Sequence, residues 1–256
     1  MQRHAAPGTV ASMPSLPVTP ENPGLIDRPD LHAPIHKALR HALADALQRV
    51  GRLDAGDEAE RQDVLARLQA LFALLRCHLV RENEHLHPAL EARQPGATRR
   101  VAAAHEEQLA GMEALCAEVR ALARPAGAGT ARLYRHMVRF VAEQFDHMLL
   151  EETQHTALLW QLCDDTELAT LGDALCAALP ARDRDALLAW IAPAVTRSEL
   201  AALLERIRMR VSHEECAGVL VLVESHLSPA RWNRVARTLG QPPHTPLIEP
   251  TPRRTD

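Results

Sequence analysis

The chain has 256 residues, 46% hydrophobic, 24% charged and only 3% aromatic, with a formal net charge of −4. That length suffices for one large domain or two small ones around a real core. The balance of 29 basic against 33 acidic residues excludes a broad basic surface and so a nucleic-acid partner, and no run of about 18 apolar residues offers a membrane span.

Residues 1–24 carry Pro7, Pro14, Pro17, Pro20 and Pro23 among Gly, Ser and Thr, and have no apolar centre of a secretory signal. They read as a disordered leader, as does the proline-rich tail 241–256. Between them the chain is rich in Ala, Leu, Arg and Glu, with apolar residues at spacings of three and four and no strand pattern. The first predicted helix covers 31–50, capped by Asp30, with Pro34 in its first turn and Gly51 at its end. The second starts at the capping box Asp57/Glu60 and runs past residue 85, where Pro88 kinks or ends it. The third spans Thr98 to about Arg124, and the fourth runs from Thr130, as N-cap, to about Cys163. Long helices joined by loops of about four to seven residues predict an all-α, up-down-up-down four-helix bundle over 25–163. Shorter helices follow over 166–240, with capping boxes at Thr196/Glu199 and Ser212/Glu215 and an N-cap at Ser228-Pro229. This extension either packs on the bundle or stands as a small second domain.

The five cysteines are scattered, without a CxxC pair, in apolar helical settings. They read as reduced thiols used as core residues, and a cytoplasmic address is expected.

The chemistry lies in the 14 histidines, since imidazole is the commonest metal ligand in proteins. The inward stripe of each bundle helix is apolar until it turns polar near one end: His36 on the first helix, His78 and Glu82 on the second, His105 on the third, His147 and Glu151 on the fourth. In an antiparallel bundle those ends meet at one level. His36 to His78 spans 42 residues, as does His105 to His147, and each second histidine is followed four residues on by a glutamate. Residues i and i+4 share a helical face, so each pair can grip a cation. Burying so many imidazoles and two carboxylates in an Ala/Leu core without a cation is costly.

This pattern resembles the hemerythrin-like (HHE cation-binding) family, whose signature is a histidine, HxxxE, a histidine and HxxxE on four successive helices. The resemblance covers roughly residues 25–163. It implies two non-heme irons held by His36, His78, Glu82, His105, His147 and Glu151. Glu82 and Glu151 would bridge, with His36 and His78 on one iron and His105 and His147 on the other. Oxygen-carrying hemerythrins add a histidine four residues after the third-helix ligand and use an aspartate five residues after the fourth-helix histidine. Here those features are replaced by Leu109 and by Glu151, one residue nearer. The resemblance then implies one nitrogen ligand fewer, and sensing or reductive chemistry with O2, peroxide or NO in place of O2 carriage.

Other residues read more plainly. His32, one turn before His36, is a rival first-helix ligand; His85, His87 and His155 read as rim or surface, and His41, His136, His213 and His226 as solvated. Tyr134 and Cys116 point towards the bundle as packing residues. A ferritin-like reading can use Glu82-x-x-His85 and Glu152-x-x-His155, but the first helix has no glutamate. Zinc suits the donors less well than a carboxylate-bridged iron pair. The expected function is binding or sensing of O2, NO or iron. The alternatives are an oxidoreductase consuming peroxide, NO or O2, or ferritin-like iron handling. Residues 166–240 are the expected surface for a protein partner or self-association.

Overall fold

The computed structural model describes residues 28–122, 129–177, 179 and 181–240. The segments read as leader (1–24) and tail (241–256) lie outside the described residues. Among those described, the secondary structure is helical throughout, without strands.

Helix α1 (Ala33–Arg52) begins where Asp30 Oδ1 accepts the N–H groups of His32 and Ala33, both at 2.9 Å. It does not stop at Gly51. The bare Cα there lets the Tyr134 ring lie close, since a Cβ would stand 3.0 Å from that ring, and the helix runs one residue further. Tyr134 itself is 40% exposed, so it covers the outside of α1 and does not point into the bundle. Helix α2 (Glu58–Arg81) is capped by Asp57, whose carboxylate accepts from Glu60 N at 3.0 Å. The reciprocal bond goes elsewhere: Glu60 accepts from Asp54 N.

Pro88 does not end the second helix. A π turn, Glu82–Leu86, is inserted before it, and the chain continues as α3 (His87–Arg93). The widened turn closes on a bond from His87 N–H to the Glu82 carbonyl, five residues back, as a π register requires. The same device recurs downstream. Helix α5 (Thr130–Leu150), with Gly129 rather than Thr130 as N-cap, passes through a second π turn, Glu151–His155, into α6 (Thr156–Leu162). Between the two, Glu91 accepts from Gly96 N, Thr98 N and Thr98 Oγ1, and so fixes the loop that leads into α4 (Arg99–Leu122).

Helices α1, α2, α4 and α5 pack as the bundle, α1 against α2 and α5, and α4 against the same two. Its core is built from Leu39, Leu43, Leu68, Leu71, Leu75, Met112, Leu133 and Met137, with Phe72 and Phe140 edge-to-face at 6.1 Å. A smaller apolar cluster of Leu86, Leu90, Leu159, Cys163 and Leu168 lies beyond the π turns. The polar layer is therefore closed by hydrocarbon on both sides.

Five helices follow: α7 (Asp165–Ala177), α8 (Ala181–Ala194), α9 (Arg197–Arg208), α10 (His213–Ser225) and α11 (Pro229–Thr238). Both expected capping boxes form, and Ser228 caps α11 with proline behind it. The extension packs on the bundle. Helix α8 lies along α1, where the small, fully buried Ala38 enters the extension's own core beside Leu188, Ile191 and Ala192. Lys37 pairs with Glu199 across the same seam. Helix α7 packs against the first π turn, and Arg231 of α11 donates to the carbonyls of Ala192, Pro193 and Val195 at the end of α8.

Candidate metal centre

Sequence spacing placed six side chains in one layer, and the structure brings all six together. The first group is His36, His78, Glu82 and Glu151; the second is His105, His147 and Glu151. In each group every ligand atom lies within 4.8 Å of every other. Glu151 belongs to both. Its Oε1 stands 3.3 Å from the Nε2 atoms of His105 and His147, and its Oε2 stands 3.4 Å from His36 Nε2. Glu82 Oε2 lies 3.4 Å from His78 Nε2 and 3.6 Å from His105 Nε2. All six side chains are less than 10% exposed.

The halves are related by a constant offset of 69 residues: His36 and His105, His78 and His147, Glu82 and Glu151. Each glutamate is the first residue of its π turn. The residue after it reaches across to the opposite half. Glu152 Oε1 accepts from His36 Nδ1 at 3.0 Å, and Asn83 Oδ1 lies 2.8 Å from His105 Nδ1. A carboxylate can only accept, so His36 donates from Nδ1 and keeps the Nε2 lone pair for the pocket. The Asn83 contact gives His105 the same tautomer, the arrangement that orients imidazoles for cation binding. Arg40 holds Glu152 in turn, with both of its terminal nitrogens.

Residues 33–159 match the sequence model of the hemerythrin HHE cation-binding domain. The chain belongs to the hemerythrin HHE family. No match was found among curated proteins or among solved structures. The family makes this segment a metal-cation-binding helical domain, and the pocket fits that role on its own chemistry. His36 Nε2, His78 Nε2, Glu82 Oε2 and Glu151 Oε2 are buried without a hydrogen-bond partner among the described residues. His105 Nε2 and His147 Nε2 face each other at 3.0 Å. Bare donors converging at such distances need a proton or a cation between them.

Electrostatics divide the two HHE glutamates. Burial, then the neighbouring charge of Glu151, pushes the Glu82 carboxyl well above its ordinary range. Burial would do the same to Glu151, but His105 and His147 outweigh it and hold that carboxyl well below. The histidines resist protonation. Burial, helped by the neighbouring rings, lowers His78 well below its usual value, His32 to about 3 and His87 to about 4. Burial also pulls Glu152 upward, but hydrogen bonds from His36 and Arg40 prevail and bring it down to about 2.

Two expectations need correction. His87 and His155, read as rim or surface, are buried, at 6% and 3% exposure. The π turn is the cause: one extra residue per turn shifts the following face by about 100° relative to an unbroken α-helix. His85 is partly buried, with Nε2 enclosed. His32 does not replace His36; both are inside. Thr156 Oγ1 lies 2.8 Å from His32 Nδ1, while His32 Nε2 is 3.7 Å from Glu82 Oε1. His41, His213 and His226 are exposed as expected, and His136 pairs with Glu118 at the surface. Glu152 and Asn83 went unnoticed in the sequence, although each directly follows a glutamate of the repeated motif.

Proposed function

We propose that this HHE domain holds two iron ions and binds or senses O2, NO or iron at them. His36 and His78 would hold one ion with Glu82 and Glu151; His105 and His147 would hold the other with Glu151, and Glu82 reaches towards both. The observation that carries this reading is Glu151, a single buried carboxylate with one oxygen towards each histidine set. Four imidazoles and two carboxylates suit a carboxylate-bridged iron pair better than a single zinc, which takes four ligands.

When bound, such a pair supplies one-electron redox steps and an open position for a small ligand. The protein's part is to keep the imidazoles neutral, to fix their rings through Glu152 and Asn83, and to enclose the layer between two apolar clusters. No described helix is long and apolar enough to cross a membrane. Residues 166–240 are proposed as the face for a partner or a second copy; the exposed Met209 and Val221 lie there.

Metal analysis together with an absorption spectrum tests the iron assignment. Anaerobic reduction followed by O2 tests the chemistry. A long-lived visible band after O2 supports binding or sensing. Rapid recovery of the oxidised spectrum with sustained consumption of reductant would move the protein to the oxidoreductase class, acting on O2, NO or peroxide. Full retention of two irons by a variant carrying both His78→Ala and His147→Ala would overturn the ligand assignment.

A further inference from the structure

Beyond the six residues of the repeated motif lies a third set of donors: His87, His155 and Glu151. Their ligand atoms also fall within 4.8 Å of one another, the same limit that encloses the two groups already described. All three side chains are buried. His87 Nε2 and His155 Nδ1 are enclosed without a hydrogen-bond partner among the described residues. Both rings are also oriented from outside the set. His87 is stacked on His105 with centroids 5.0 Å apart, and His155 makes a backbone hydrogen bond at Ala97. An imidazole held on one side, with a bare nitrogen aimed at a carboxylate on the other, is how proteins present a metal ligand.

The set also departs from the duplication. At the offset of 69 residues, His87 corresponds to Thr156 and His155 to Leu86. Each half thus contributes one imidazole where the other half has a hydroxyl or a hydrocarbon. The result is one extra site, not two.

We propose that His87, His155 and Glu151 form a third cation position beside the dinuclear pair, accepting a divalent transition ion such as zinc or ferrous iron. Two imidazoles and one carboxylate are a donor set that zinc takes with an open fourth position, and neutral nitrogen suits ferrous iron equally. The two π turns create the site, because they turn these residues inward at the level of the shared glutamate. This proposal rests on the reading of the pocket as a metal centre.

Zinc is the redox-silent probe. The full chain, stripped with a chelator, is saturated with zinc and desalted, and retained metal per chain is measured by elemental analysis. Wild type should retain three ions, and the His87→Ala/His155→Ala variant two, with unchanged helicity by circular dichroism. Wild type and variant both saturating at two overturns the third position and leaves the pair standing. Wild type retaining none or one overturns the metal-centre reading itself, and this proposal with it. A variant that keeps three ions, or falls below two, overturns the assignment of these two histidines. Anomalous scattering at the zinc edge from wild-type crystals gives a check independent of variant folding. A third peak within coordination distance of His87 and His155 is expected, and a third peak only elsewhere on the surface overturns the proposal.

Discussion

Glu82 and Glu151 hold equivalent places in the two halves of the HHE domain, each opening a π turn, yet their acidities are driven in opposite directions. Two carboxylates in one dry layer cannot both carry full charge without compensation. The histidine nitrogens at 3.3 Å decide which one does: Glu151 has two such neighbours on one oxygen, and Glu82 has none that close.

That asymmetry predicts unequal consequences for metal loading. Glu151→Ala removes the carboxylate common to both histidine sets and should abolish retention of the pair. Glu82→Ala leaves His105, His147 and Glu151 in place, so iron content should fall by about one ion per chain. Elemental analysis of both variants, purified side by side, checks this. Equal losses would mean that the two glutamates are interchangeable.

The metal-free protein should be acid-sensitive well above the usual carboxylate range. His32 is held neutral to about pH 3 in the folded state and His87 to about 4, whereas an unfolded histidine titrates near 6.5. The folded pKa lies below the unfolded one, so the unfolded chain gains protons first. The stability these neutral rings provide is complete above pH 6.5 and is lost as pH falls towards 3 or 4. For the fully buried His32 the loss at pH 5 is about 2 kcal/mol. Glu82 acts in the opposite sense. Its raised folded pKa stabilises the protein below the ordinary glutamate value, and that contribution disappears as pH rises through the folded value. Denaturant titrations of the metal-free chain between pH 4 and 8 should show a steep decline on the acid side, flattened in His32→Phe. A wild-type-minus-variant difference that does not change with pH would refute the assignment.

The helices and the six motif residues were legible because both follow α-helical spacing. Leucines at three and four residues define the stripes, and HxxxE places its members on one face. His87 and His155 were not, because a π turn carries no periodic signal and displaces everything after it by one residue. Pro88 was read as a break for the same reason. A proline that removes a hydrogen bond from an α-helix is accommodated once the preceding turn has widened. The outer partners were legible in principle, since Asn83 and Glu152 occupy the same position after each glutamate. What spacing within one helix does not reveal is that each holds a histidine of the opposite half. Packing of the extension on α1 depends on Ala38, whose small size only acquires meaning once α8 lies against it.

The crossed outer bonds predict an effect on affinity without an effect on fold. Arg40 and Glu152 fix the tautomer and rotation of His36, and neither belongs to the donor groups themselves. Glu152→Gln can no longer compel His36 to donate from Nδ1, and Arg40→Met lets the carboxylate move away. Each should weaken metal retention about 10–100-fold, as outer-shell substitutions commonly do. Asn83→Ala should do the same through His105. Chelator competition measures the affinity and circular dichroism the helicity. Unchanged affinity in all three would show that the rings are held by packing alone.

Gly111 provides a test of the bundle that is independent of the metal. It lies inside α4 with no positive φ to require glycine, and a Cβ there would rest 3.7 Å from the Phe140 ring, an ordinary van der Waals contact. Alanine restores the chain entropy that glycine costs a helix interior, so Gly111→Ala should stabilise by about 0.5–1 kcal/mol. Gly51→Ala offers the same entropic gain but brings a methyl to 3.0 Å from Tyr134, which must swing outward to make room. The second variant should therefore gain less than the first, or lose stability. Chemical denaturation of the two variants in parallel decides it, and destabilisation by Gly111→Ala would mean that α4 and α5 are packed too tightly to admit a methyl group.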